Sequence, residues 1–120
     1  AYRSAPFFEY YEAELRPVFE KPFSLLLDLN LETLSVMCGL LELPFPTSRS
    51  TQFQTQPEGL QDGRFLISSK IKNSIPVAEY AQVFQERHGF LENLSALDLL
   101  FNQGPAARDY LMAQELPWDA

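Results

Sequence analysis

The sequence predicts a mostly α fold, with about six short helices around an aromatic-rich core and a long central loop. Three observations carry this expectation. Apolar residues recur at spacings of three and four in the first and last thirds of the chain, which is helical period. Capping residues, prolines and glycines stand at the ends of those stripes. Between the two helical parts, residues 44–75 have loop composition, with Pro44, Pro46, Pro57, Gly59, Gly63 and many Ser, Thr and Gln. The expected organisation is therefore helical over 1–43, loop over 44–75 and helical over 76–120.

The first helix is expected to begin near Ser4, with Pro6 in its first turn, where a missing N–H has no intrahelical partner to lose. Phe7, Tyr11, Leu15 and Val18 or Phe19 form its stripe, and Phe8 widens it. Pro17 predicts a break or kink near Arg16, followed by a short continuation to Glu20. After Lys21-Pro22, the run Phe23 to Leu29 is nearly all apolar, so part of it should be buried. Asn30 suits the N-cap of a helix carrying Leu31, Leu34, Cys38 and Leu41, which ends before Pro44. Gly39 in that helix either admits a close neighbour or is merely tolerated.

The central loop has room for a small β-hairpin at most. Thr51–Thr55 alternates weakly and Arg64–Ser68 is β-prone. Beyond it, Pro76 can open a helix with the stripe Val77, Tyr80, Ala81 and Phe84, stopped by Gly89 at a left-handed C-cap. Ser95 is expected to cap the next helix, with Asp98 three residues on as a capping-box relative and Leu94 and Leu99 as a staple. Gly104 closes that helix. Pro105 starts the last one, through Tyr110 and Leu111 to about Gln114, before a docked or frayed tail at Leu116–Trp118.

At 120 residues the chain is one domain or subdomain. Hydrophobic residues at 46% and charged residues at 21% place it among globular rather than disordered sequences. The net charge of −7 gives no footprint for a phosphate backbone, so nucleic acid is not an expected partner. No apolar run approaches the ~20 residues needed to cross a bilayer, so no membrane partner is expected either. The single cysteine, Cys38, lies on an apolar stripe and reads as core; it cannot close a disulfide within the chain, and a reducing, cytoplasmic setting fits best. No paired-cysteine zinc motif, phosphate-cradling glycine loop or Gly-x-Ser-x-Gly elbow is present, so neither a metal nor a cofactor is expected.

Charge is unevenly spread. Residues 44–76 hold four basic side chains (Arg49, Arg64, Lys70, Lys72) against two acidic ones, between acidic blocks of −4 and −5. This basic island is either a solvated connection or a loop whose cations meet an anionic ligand. His88, the one histidine, stands at an expected helix end. There it either bonds the last carbonyls in the field of the helix dipole or acts as a general base, with Asp98 as the acid that orients it. Asp98 is otherwise a plain capping residue. Asn102, one turn on, either caps the helix end beside Gly104 or joins Asp98 in presenting an amide and a carboxylate on one face to a polar ligand. Gly104-Pro105 reads as a stop and restart, although the free N–H groups after it suit a phosphate or carboxylate. Phe7, Phe8, Tyr10 and Tyr11 read mostly as core.

Taken together, Tyr80–Phe84, His88-Gly89-Phe90 and the run Asn93–Pro105 resemble the C-terminal signature of the WbqC-like family. Ala5–Tyr11 and Leu27–Leu31 look like the middle portion of the same family. The resemblance implies that an N-terminal portion precedes this chain, so that some of the early aromatics pack on it. It also implies a bacterial protein linked to surface-polysaccharide (O-antigen) biosynthesis, with a transferase role in modifying an amino sugar by acyl or aminoacyl transfer. In that setting His88 and Asp98 would be catalytic. Asn102 would bind substrate, and Lys70, Lys72 and Arg64 would meet the phosphates of a sugar-nucleotide. The competing expectation is a non-enzymatic helical interaction or assembly module, whose wide stripes at 7–19 and 31–41 dock a partner or a second copy as a homodimer.

Overall fold

The structure is a computed structural model that describes residues 1–46, 48–68 and 76–116. The fold is mostly helical, with no strand among the described residues. Among the described residues, five α-helices follow in chain order: α1 (Phe8–Glu20), α2 (Leu26–Leu40), α3 (Gln85–His88), α4 (Ala96–Gln103) and α5 (Ala107–Met112). Single 3-10 turns stand at Tyr2–Ser4, Arg64–Ile67 and Gly104–Ala106.

The core forms where α1, α2, α4 and α5 meet. It comprises Ala5, Tyr11 and Leu15 from the first segment, Leu41 from the end of α2, Leu99, Leu100 and Phe101 from α4, and Ala107 from α5. Leu100 is fully buried. Truncating such a leucine to alanine removes about 2–5 kcal/mol. Rings of Tyr2 and Phe8 pack against Phe101 at 5.3 and 5.1 Å, so the aromatic start of the chain is core at these positions. Tyr10, by contrast, is exposed.

The start of α1 is fixed from outside: the Phe7 N–H donates to the Phe101 carbonyl at 2.9 Å. This ties the beginning of α1 to α4. Pro17 does not break α1, which runs through it to Glu20. Pro17 and Ala13, whose carbonyl loses its partner, are both exposed, so water can take that carbonyl.

Helix α2 begins at Leu26, four residues before the expected cap at Asn30. Asn30 lies inside it, and its carbonyl accepts from the Thr33 hydroxyl at 2.9 Å. The apolar run that should be partly buried is so only at Phe23 and Leu29. Leu25, Leu26 and Leu27 are exposed, and α2 contains no fully buried residue. Cys38 is half-buried rather than a core residue. No neighbour approaches Gly39, which has open space where a Cβ would stand. The helix ends with Leu43 N–H on the Cys38 carbonyl and Glu42 N–H on Gly39, a Schellman arrangement. Glu42 occupies its left-handed position at φ +57, and its carbonyl accepts from Arg108 Nε at 3.1 Å.

The strand-like pieces form no strand: Thr51–Thr55 is irregular, and Arg64–Ile67 makes a 3-10 turn. The helix expected from Pro76 shortens to the single turn α3, because side chains take the carbonyls upstream of it. Tyr110 donates to Ala78 O at 2.5 Å and Gln114 to Pro76 O at 2.9 Å. Residues 76–82 therefore lie along α5 instead of coiling.

The last part follows expectation more closely. Gly89 follows α3 at φ +67, and Ser95 Oγ caps α4 by accepting from Leu97 N–H at 3.1 Å. Gly104 closes α4 at φ +55, and α5 ends at Met112, slightly before the expected Gln114. Of the expected tail, Leu116 is described, while Pro117 and Trp118 lie outside the described residues.

Candidate functional site

Asp98 stands in the first turn of α4 and is only 2% exposed. Its carboxylate does not reach back to complete a capping box. It turns inward and accepts from the Tyr80 hydroxyl at 2.5 Å and from Gln82 Nε2 at 3.3 Å. The Tyr2 hydroxyl faces the same carboxylate, and burial together with Asp98 raises its pKa above the ordinary 10. Burial first, and Asp98 next, push the Tyr80 phenol well above its ordinary range. Tyr80 is thus held protonated, as the donor to a buried acceptor.

Gln82 extends the network. Its carbonyl oxygen accepts from Leu91 N–H at 2.9 Å, while its amide donates to Leu91 O at 2.7 Å. One side chain therefore pins both backbone groups of Leu91, and with it the loop after α3. Asn102 is 6% exposed. Its Nδ2 donates to the Asp98 backbone carbonyl one turn below, at 2.8 Å. It neither caps the helix end nor presents its amide to solvent, and no buried side-chain polar atom among the described residues lacks a partner.

The expected His88–Asp98 pair is not assembled. His88 is exposed at the last position of α3, while the Asp98 partners are Tyr80 and Gln82. Arg64 is engaged as well. Its Nε and terminal nitrogen donate to the two Asp62 carboxylate oxygens at 2.8 and 2.6 Å, and it also donates to Thr55 O at 3.0 Å. Those bonds from Arg64 lower Asp62 from 3.8 to about 2. Lys70 and Lys72 lie outside the described residues. The basic island therefore contributes one already paired cation, Arg64, and one exposed arginine, Arg49, to the described surface.

A cavity of about 210 Å³ opens beside this network, lined among others by Val77, Tyr80, Leu99, Tyr110, Leu111 and Gln114. The Tyr80 ring meets the Tyr110 ring at 5.3 Å, edge to face, and Phe90 at 5.3 Å from another direction. Since its hydroxyl is spent on Asp98, Tyr80 offers the cavity its ring rather than a proton.

Sequence reasoning placed Tyr80 on a helical stripe and gave no role to Gln82, Tyr110 or Tyr2. No spacing signal pointed to them: Gln82 reaches Asp98 sixteen residues on, Tyr110 reaches Ala78 and Gln114 reaches Pro76 more than thirty residues back.

Comparison with protein-family models matches residues 1–74 to the WbqC-like protein family. The chain belongs to this family. The WbqC-like match falls on α1, α2 and much of the central loop, and so on Ala5–Tyr11 and Leu27–Leu31 rather than on the run Asn93–Pro105. No curated protein and no solved structure matches the chain. Among the described residues, no helix of this WbqC-like chain is long and apolar enough to cross a membrane.

Proposed function

We propose that this WbqC-like chain forms one wall of a transferase site that modifies an amino sugar in bacterial surface-polysaccharide (O-antigen) biosynthesis. The observation that carries the reading is Tyr80, a cavity-wall ring locked in place by a buried carboxylate. An aromatic face fixed in advance suits the apolar face of a sugar and spares the ordering cost of binding. The cavity is smaller than the ~300–1,000 Å³ of sites that enclose a whole ligand, so it takes part of the sugar. A nucleotide attached to that sugar would extend outside it. In this reading Asp98 holds the wall in place, its Oδ2 accepting from Tyr80 and Gln82.

The test is calorimetric titration with UDP-N-acetylglucosamine and related amino-sugar nucleotides. Ala96 lines the cavity at the start of α4 and is exposed, so Ala96→Phe adds bulk there without opening the core. Saturable binding that weakens at least tenfold in Ala96→Phe supports the reading. Absence of binding to every amino sugar at millimolar concentration contradicts it.

A second reading, a helical assembly module, is favoured by α2. Leu25, Leu26 and Leu27, at its start, are 62%, 71% and 57% exposed. A run of exposed leucines of this kind suits an interface. In this reading a second copy covers it. Light scattering should then show a dimer that Leu26→Glu abolishes, whereas a monomer at high concentration rejects the module.

A further inference from the structure

We infer that the cavity beside Tyr80 selects a secondary amide, the acyl group on a nitrogen, over a charged amine. This rests on the transferase reading for its sugar context but on the cavity's own chemistry for its selectivity. None of the side chains that line the cavity is acidic, basic or an imidazole. Its two phenols are held protonated, since burial raises Tyr110 and raises Tyr80 further with Asp98. An ammonium entering it would lose hydration and gain no counter-charge. The nearest buried carboxylate, Asp98, is turned away and shared between Tyr80 and Gln82.

Two polar groups on the lining suit an amide. Ser95 Oγ accepts from Leu97 N–H, which leaves its hydroxyl proton to donate to an acyl carbonyl. Gln114 spends its Nε2 on Pro76 O and Glu115 O, which leaves its side-chain carbonyl to accept an amide N–H. Leu94, Leu99 and Leu111 supply the apolar wall for the acyl methyl. One donor, one acceptor and an aliphatic wall match a secondary amide, and a free amine would leave the Ser95 donor and that wall unused.

Saturation-transfer NMR on the full chain tests this with three probes: N-acetylglucosamine, glucosamine and N-methylacetamide. The expected result is strongest transfer to the acetyl methyl, binding of glucosamine at least tenfold weaker, and loss of the acetyl signal in Ala96→Phe. Gln114→Met removes the acceptor together with the bond to Pro76 O and should weaken the amide several-fold while amide exchange in α4 stays unchanged. Equal binding of glucosamine and N-acetylglucosamine overturns the inference and leaves the sugar reading standing. Transfer to N-methylacetamide without binding of either sugar keeps the inference and removes the sugar reading. Binding of no probe, or binding indifferent to Ala96→Phe, overturns the inference.

Discussion

The Tyr80 hydroxyl donates to the Asp98 carboxylate at 2.5 Å, joining the segment before α3 to the first turn of α4 across eighteen residues. With Gln82 on the same carboxylate oxygen and Tyr2 facing it, this one carboxylate organises three parts of the chain that share no helix. Its burial is tolerable because hydrogen-bond donors surround it. The same bond decides what Tyr80 can do: it fixes the ring as a cavity wall and withdraws the hydroxyl from solvent.

Gln82 is expected to control the order of the loop after α3. Gln82→Ala removes both bonds to Leu91 and one donor to Asp98. Amide exchange at Leu91 should accelerate by at least tenfold while exchange in α1 is unchanged. A Leu91 amide that exchanges at the same rate in the variant would mean that the loop is held by packing alone.

Alkaline pH should weaken the fold. Tyr2, Tyr11, Tyr80 and Tyr110 all have raised pKa values, with burial as the largest cause in each. A phenol raised in the folded state contributes stability that is complete below the unfolded value near 10. That stability is lost as pH rises from there through the folded value, because the unfolded chain ionises first. Urea midpoints should therefore fall above pH 10, and Tyr80→Phe should flatten part of the fall. A midpoint flat from pH 9 to 11 contradicts the burial of these phenols.

Two glycines should respond in opposite directions. A Cβ on Gly104 would stand 2.5 Å from the Phe7 ring at a positive φ, so Gly104→Ala should cost at least about 1–3 kcal/mol. Gly39 lies within α2 with nothing within 4 Å of its Cβ position, so Gly39→Ala should stabilise by about 0.5–1 kcal/mol. Thermal melts of the two variants check both signs.

The Asp62–Arg64 pair gives a site-specific titration. Asp62 is lowered to about 2 by Arg64, so its contribution is present above the ordinary value of 3.8 and is lost as pH falls through about 2. In Arg64→Ala, the Asp62 side-chain carbonyl carbon should titrate well above 2 by NMR, and still below 3.8, because the backbone N–H of residue 64 continues to donate to it. The pair is exposed, so global stability should barely change.

Local signals were legible where the interaction is local. The Ser95 cap, the Gly89 and Gly104 stops and the α1 stripe of Tyr11 and Leu15 each depend on residues within one or two turns. The start of α2 was misplaced because Asn30 looks like a cap, yet the apolar run before it coils on its own. Pro17 was read as a break or kink; the helix is not broken, because its exposed side lets solvent replace the lost bond. The segment 76–82 belongs to a stretch of helical period and still does not coil, because Tyr110 and Gln114, more than thirty residues away, take its carbonyls. The His88–Asp98 pairing rested on residue type and proximity in sequence. Asp98 found its donors in Tyr80 and Gln82, which no spacing rule connects to it.

The account depends most on the coupling of Tyr80 to Asp98, and a double-mutant cycle measures that coupling. Stabilities of the unmodified chain, Tyr80→Phe, Asp98→Asn and the double variant are compared by urea unfolding. A bond that organises the site predicts a coupling energy of about 0.5–3 kcal/mol, together with loss of cavity binding in both single variants. Additive effects within about 0.3–0.5 kcal/mol, with binding intact, would contradict it.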